Sequence, residues 1–221
     1  AFKLEEVTYG EMLEMARRGA GVMQPRAVEM GFRYGVPIHV RSTFSDNTGT
    51  IIREDYTVET NKHVITGVAD DTNTAKVALV GVENKPGIAA TVFKALADKN
   101  VDVDMIVQSI RAKGEPKTAL IFTVALDDVV LTRDVLNQLQ QSIDIEAVNI
   151  DEKMAKVSII GAGMLGQPGV AAQMFDILSK EGINIEIIST SEISISCLVA
   201  EDRVKDAVRV IHNGLLLNER G

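Results

Sequence analysis

Several things are scarce in this 221-residue chain, and each scarcity excludes something. There is one cysteine, Cys197, so no intrachain disulfide and no cysteine-based metal site can form, and a reducing cytoplasm is the expected setting. Tryptophan is absent and aromatic residues make up 4 %, so a core must be built from aliphatic side chains. Basic residues are outnumbered 31 to 23, leaving a formal charge of −8. That balance argues against nucleic acid, whose binders present a basic face, and against an anionic membrane surface. No apolar run approaches the roughly 20 residues of a membrane span, and no signal peptide is visible near the start. The chain opens on Ala1 rather than Met, which points to trimming, processing or a longer parent.

What is present is a repeat. Lys76–Ser109 (KVALVGVENKPGIAATVFKALADKNVDVDMIVQS) recurs as Lys156–Ser191 (KVSIIGAGMLGQPGVAAQMFDILSKEGINIEIISTS), with two extra residues before its Pro-Gly pair. Each copy reads as strand, loop, helix, strand. The runs Val77–Val80 and Val157–Ile160 suit buried strands. Pro86-Gly87 and Pro168-Gly169 open helices, with Ile88, Val92, Phe93 and Leu96, or Val170, Met174, Phe175 and Leu178, on one face. Val101, Val103, Met105 and Val107, and likewise Ile183, Ile185 and Ile187, alternate as strands do. Thr118–Ala125 and Ile193–Ala200 add third strands; Leu131–Gln141 and Val204–Leu215 add second helices.

Residues 1–55 have a different character. Helices are expected over Tyr9–Arg18, ended by Gly19 and Gly21, and from Pro25 to about Tyr34. Val36–Ser42 and Thr50–Ile52 read as short strands. This segment is too small to bury a core alone and reads as the end of a larger domain, with a polar linker to residue 63. Val64–Ala69 is another strand, followed by an expected polar turn at Asp70–Thr74. Only the first unit is followed by a fourth strand, Ile145–Ile150. The expected organisation therefore places the first unit, 76–152, inside a second made of 64–75 with 153–221. Each would be βαββαβ with both helices on one face, the ferredoxin-like α+β arrangement.

Few residues carry obvious chemistry. His39, His63 and His212 stand apart, without metal-ligand spacing. Glu5-Glu6, Asp70-Asp71 and Asp127-Asp128 read as solvated turn charges, and Cys197 as a core thiol. Gly161–Gly166 (GAGMLG) fits G-x-G-x-x-G after a strand, with Glu186 near the place of a ribose-gripping acid. An NAD-binding loop is the alternative that this run raises; a tight turn accounts for it as well. The loop–helix junctions at Asn84–Ala89 and Gln167–Ala171 remain. Free N–H groups at a helix start attract a carboxylate, and Gly87, Ala89, Gly169 and Ala171 leave room for a ligand. The second strand, opening on Asp102 or Asn184, is expected beside each junction. A nearby side-chain or backbone carbonyl would take the ammonium group of an amino acid. A scaffold with both loops empty is a third reading.

ENKPGIAATVF, VDVDMIVQS, GAGMLGQPGVAAQMF and INIEIISTSEISIS resemble the paired ACT domains of bacterial aspartate kinases. EVTYGEMLEMARRGAGVMQPRAVEMGFRYGVPIHVRS resembles the end of that family's amino-acid-kinase domain. The resemblance covers essentially the whole chain. It implies two ACT domains in tandem, the first inserted into the second, preceded by the C-terminal remnant of a kinase domain (1–55). It also implies feedback regulation of the phosphorylation of aspartate by ATP, the first step towards lysine, threonine and methionine. The family's Lys-Phe-Gly-Gly opening and most of the kinase domain are missing, so this chain is expected to be a regulatory β subunit, or an equivalent fragment, inactive alone. It would need no cofactor of its own; ATP and Mg would belong to a catalytic α subunit, in an α2β2 assembly. Carried over by position, a threonine-type effector site would use Asn84, Gly87, Ile88, Ala89 and Gln108 with Asn184 and Ile185. Ser191 and Glu192 match positions associated with the response to lysine. In the family the first unit of one chain lies beside the second unit of another in a homodimer, forming an eight-stranded sheet. Two departures stand out: Gln24 where many members have His, and Asn84 where Asp is common.

Overall fold

The computed structural model describes residues 3–54, 64–109 and 117–216. The expected linker over 54–62 falls almost wholly outside the described residues, as does His63. By its internal contacts the chain divides into two compact units, residues 1–71 with 156–221, and residues 72–155.

Two long strands carry the organisation. β4 runs Gly67–Glu83 and β7 runs Ala147–Ile160. Thr66 N–H donates to Ile160 O at 2.7 Å and Glu146 N–H to Val80 O at 3.0 Å. As one strand advances its neighbour recedes, so the pair is antiparallel. In the inner unit, β4 leads into α3 (Ile88–Ala97), β5 (Ile106–Ser109), β6 (Lys117–Val124), α4 (Val129–Leu139) and β7. Its strand order is β5-β6-β4-β7. In the outer unit, β7 leads into α5 (Val170–Lys180), β8 (Ile187–Thr190), β9 (Ser194–Ala200) and α6 (Val204–Ile211). Its order is β4-β7-β9-β8, so the start of β4 serves as its fourth strand. Each unit is βαββαβ with the ferredoxin-like order, and the first is inserted into the second.

The expected turn at Asp70–Thr74 does not form; β4 continues through it. Two of the polar residues there find partners in the fold. Asp71 pairs with the buried Lys156 at 3.5 Å, and Asn73 Oδ1 accepts from Leu126 N–H at 3.0 Å. Ile145–Ile150 likewise merges into β7. The second strands begin later than their alternation implies. Before β5, the Thr123 side chain takes the Met105 N–H at 3.1 Å, replacing a ladder bond. The last helix ends at Ile211 in a wide turn, His212–Leu216. A Cβ on Gly214 would stand 2.6 Å from Ile177 Cδ1, so a larger residue there would push the Ile177 side chain aside where the turn meets α5.

The inner core gathers Val77, Leu79, Val92, Leu96, Leu120, Phe122 and Leu136. Phe93 meets Phe122 edge-on, with centroids 5.4 Å apart, an arrangement that the ring quadrupoles favour. In the outer unit, Val157, Ile159, Met174, Leu178, Leu198, Ala207 and Ile211 are buried. Cys197 is buried among them, and burial pushes its thiol up to about 12.

Residues 3–54 pack into the outer unit. β1 (Glu6–Thr8) pairs in parallel with β3 (Thr50–Arg53), and β2 (Ile38–Val40) pairs antiparallel with β3. α1 (Tyr9–Arg17) starts with a capping box between Thr8 and Glu11, which satisfies two orphan donors reciprocally. α2 (Pro25–Tyr34) has Pro at its first turn and left-handed Gly35 after its end. Val7, Tyr9, Met15, Val28 and Ile52 share a core with Ala69 and Ile160. Glu6 is no solvated turn charge, for its carboxylate grips Arg53 through both oxygens at 2.6–2.7 Å. Among the described residues, no helix is long and apolar enough to cross a membrane.

Two outcomes are expected. Phe122→Ala should cost about 3–5 kcal/mol, read as a lower urea midpoint. At pH 8 a thiol reagent should leave Cys197 unlabelled in the folded protein and label it fully in denaturant. Because this thiol is raised relative to the unfolded chain, any stability it confers is complete below about pH 9 and is lost as pH climbs towards about 12.

Candidate functional site

The two loop–helix junctions have the same geometry. Gly87 caps α3 at φ 98° and Gly169 caps α5 at φ 100°, neither helix having a side-chain cap. This left-handed conformation is strained for any residue with a Cβ. At both glycines a Cβ would meet nothing within 4 Å, so the space before each helix is open. Ile88 N–H makes a long bond of 3.4 Å to Lys85 O, and Gly87 O accepts from Thr91 N–H at 2.9 Å. The next first-turn donors, at Ala89 and Ala90, have no preceding helical carbonyl to reach.

Asn84, Gly87 and Ala89 are exposed around this opening, while Ile88 turns inward and is 8 % exposed. Gln108 is exposed on β5, the edge strand. Register puts Glu83 opposite Lys117 and Ser109 opposite Ala119, so Gln108 lies at the end of the sheet where the junction opens. These inner-unit residues therefore share one end of one sheet. Ile106 and Val107 expose apolar side chains along β5, and Ile188 does so on β8, the edge strand of the outer unit.

The outer-unit candidates fall into two places. Asn184 and Ile185 line a hollow of about 470 Å³ with Phe175, Ser179, Gly182 and Ile183. Asn184 Nδ2 donates to Glu186 Oε1 at 2.9 Å. This corrects the expectation that Asp102 and Asn184 stand beside the junctions. Ile183 N–H bonds to Leu178 O at 2.9 Å, so Asn184 follows the far end of α5. An 11-residue helix puts it roughly 15 Å from Gly169. Ser191 and Glu192 are exposed in the β8–β9 turn. Ser191 N–H donates to Ser194 O at 2.8 Å, and the two hydroxyls are 2.8 Å apart.

The glycine run is closed at its first glycine, where a phosphate-binding loop would need space. Gly161 is extended, at φ 173°, and a Cβ on it would overlap the Val64 carbonyl oxygen and stand 2.8 Å from Ile65 Cα. Ala162–Met164 forms a single tight turn, with Met164 buried, and α5 begins only at Val170. Ala162 N–H donates to Glu11 Oε1 at 2.9 Å. A side-chain carboxylate thus holds the position an anionic ligand would need.

Glu11 is what the sequence reading missed. Its capping-box spacing from Thr8 was visible; its second oxygen's partners, Ala162 N–H and Thr66 Oγ1 at 2.6 Å, lie 151 and 55 residues away.

A βαββαβ pair with one unit inserted in the other defines a tandem of ACT domains, and residues 76–144 and 157–215 each match the ACT domain family. An aspartokinase of Mycolicibacterium smegmatis is 44 % identical over 212 residues, covering 95 % of this chain and 50 % of that protein. The regulatory subunit of aspartate kinase from Thermus thermophilus, solved in a ligand-free form, is 37 % identical. It has a TM-score of 0.65 and covers 68 % of this chain and 98 % of that one. A structure of aspartokinase α and β subunits gives 41 %, 0.63, 68 % and 97 %. Aspartokinase III of Escherichia coli, in complex with lysine and aspartate in a T-state, gives 25 %, 0.74, 97 % and 46 %. The chain belongs to the aspartokinase family and contains its regulatory ACT region. It spans about half the length of the curated relatives it matches.

The two kinds of glycine should separate on substitution. Gly87→Ala meets only left-handed strain, about 1–2 kcal/mol. Gly161→Ala forces backbone apart, so its loss in urea denaturation should be the larger of the two, about 1–3 kcal/mol or more.

Proposed function

We propose that this chain is the regulatory part of an aspartate kinase, binding threonine, and lysine as a second effector, where two ACT units of different protomers meet. The carrying observation is the open, uncapped junction at Gly87 with Asn84, Ala89 and Gln108 around it. A free carboxylate fits the unsatisfied N–H groups of the α3 start, and Gln108 supplies an amide for the rest of the amino acid. Asn184 and Ile185 complete the site from the hollow of the second unit. Within either unit junction and hollow stand at opposite ends, so a ligand touching both needs two units. The bare edge strands, with Ile106 and Ile188 outward, suit pairing in a homodimer. Lysine is bound by the Escherichia coli relative, and Ser191 and Glu192 are the residues assigned to it here.

A ligand that binds one arrangement of the dimer more tightly shifts the population towards it. Feedback inhibition of aspartate phosphorylation follows when that arrangement disables the catalytic chain. Residues 1–55 are the end of a kinase domain on this reading, and ATP and Mg are held by the rest of the enzyme, in an α2β2 assembly in the cytoplasm.

Calorimetry with threonine, lysine and methionine tests this. Threonine should bind the wild type, and Gln108→Ala should weaken it at least tenfold. Asn84→Asp should tighten it several-fold, because an ionised acceptor makes the stronger bond to an ammonium group. No heat and no thermal shift with any of the three ends the proposal.

A further inference from the structure

Helix α1 holds both loops at the junction end of the outer unit, through two carboxylates one turn apart. Glu11 is 1 % exposed. Its Oε2 accepts from Thr8 Oγ1 at 2.8 Å and Thr8 N–H at 3.3 Å. Its Oε1 accepts from Ala162 N–H at 2.9 Å and Thr66 Oγ1 at 2.6 Å. Glu14 Oε2 accepts from Ser194 Oγ at 3.1 Å and from Arg18 Nε at 3.2 Å. Ser194 Oγ lies 2.8 Å from Ser191 Oγ. The loops are also joined to each other, Gly161 N–H donating to Ile193 O at 3.0 Å.

We propose that Glu11 and Glu14 are positioning residues that make α1 and the two loops, 161–169 and 191–194, one coupled element. A change in either loop is then transmitted to the helix. The distances leave little slack. Hydrogen bonds of this kind hold between about 2.7 and 3.2 Å, so a loop displacement of about 1 Å either breaks them or carries α1 along. Breaking them strands a buried carboxylate, the costly outcome. Coupling of this sort is reciprocal, so it can be read from either side. The ligand side of the proposal rests on the reading above that Ser191 and Glu192 answer to an effector.

Amide hydrogen exchange across the full chain decides the coupling without any ligand. Glu11→Ala should speed exchange at Ala162–Gln167 at least tenfold, and Glu14→Ala should do the same at Ser191–Ser194. Neither should change α4 or the rest of β9, Ile195–Ala200. Glu14→Gln keeps an acceptor for Ser194 Oγ and should restore wild-type rates. In the reverse direction Ser194→Ala should speed exchange at Glu14–Arg17 as much as Glu14→Ala does, and the double variant should add nothing. Wild-type loop rates in both alanine variants, or an equal acceleration throughout the protein, overturn the proposal. In a second arm, 10 mM lysine should slow α1 exchange in the wild type, threonine being assigned no contact with either loop. The Glu11→Ala/Glu14→Ala double variant should lose that response while its affinity stays within about threefold. A full α1 response in that variant also overturns the coupling. If lysine does not bind the wild type, the lysine reading falls, and the ligand-free rates still decide the coupling.

Discussion

The ladder between β4 and β7 is the constraint from which the rest of the structure follows. Each strand is longer than either unit needs, 17 and 14 residues, because each serves two units in turn. The last part of β7 opens the outer unit, and the first part of β4 closes it. A βαββαβ unit without its fourth strand would leave the central strand bare along one side. The inner unit takes that strand, β7, from its own consecutive sequence; the outer unit takes it from the start of β4, upstream of the insertion. The antiparallel register from Thr66–Ile160 to Val80–Glu146 is what fixes both.

On that frame the duplicated junctions have diverged by context. Gly87 and Gly169 keep nearly identical left-handed angles, so the backbone device is the same in both copies. In the second copy the loop meets α1, where Glu11 takes the Ala162 backbone donor. The first copy keeps a short loop and an exposed Asn84. Equivalent positions in a repeat can thus share a conformation and still offer different chemistry, because the chemistry lies in which groups are already engaged.

Much of this was legible from pattern alone. Period-two alternation revealed the strands though not where the second ones begin, Pro25 marked the start of α2 with its end near Tyr34 as observed, and the missing fourth strand pointed to the insertion. Local signals served wherever local physics decided. They failed where a remote partner decided. Asp70–Thr74 has turn composition, but the partners on β7 and Leu126 make a strand of it. Asn184 alternates correctly, yet only the helix direction shows it lies far from the junction. Glu11 was missed, since nothing in nearby sequence pointed to Ala162. The glycine run shows the converse: it fits a phosphate-loop pattern, while Gly161 exists to let the 64–66 backbone pass.

The Asp71–Lys156 pair marks a seam with practical meaning. Just inside it begin and end the 84 residues of the inner unit, 72–155, entering and leaving on neighbouring antiparallel strands. Their removal would leave two strand ends side by side, a gap that a two-residue hairpin turn spans. The outer fold is therefore a natural host for grafting: one module can be lifted out, or exchanged for a foreign one, at a single suture.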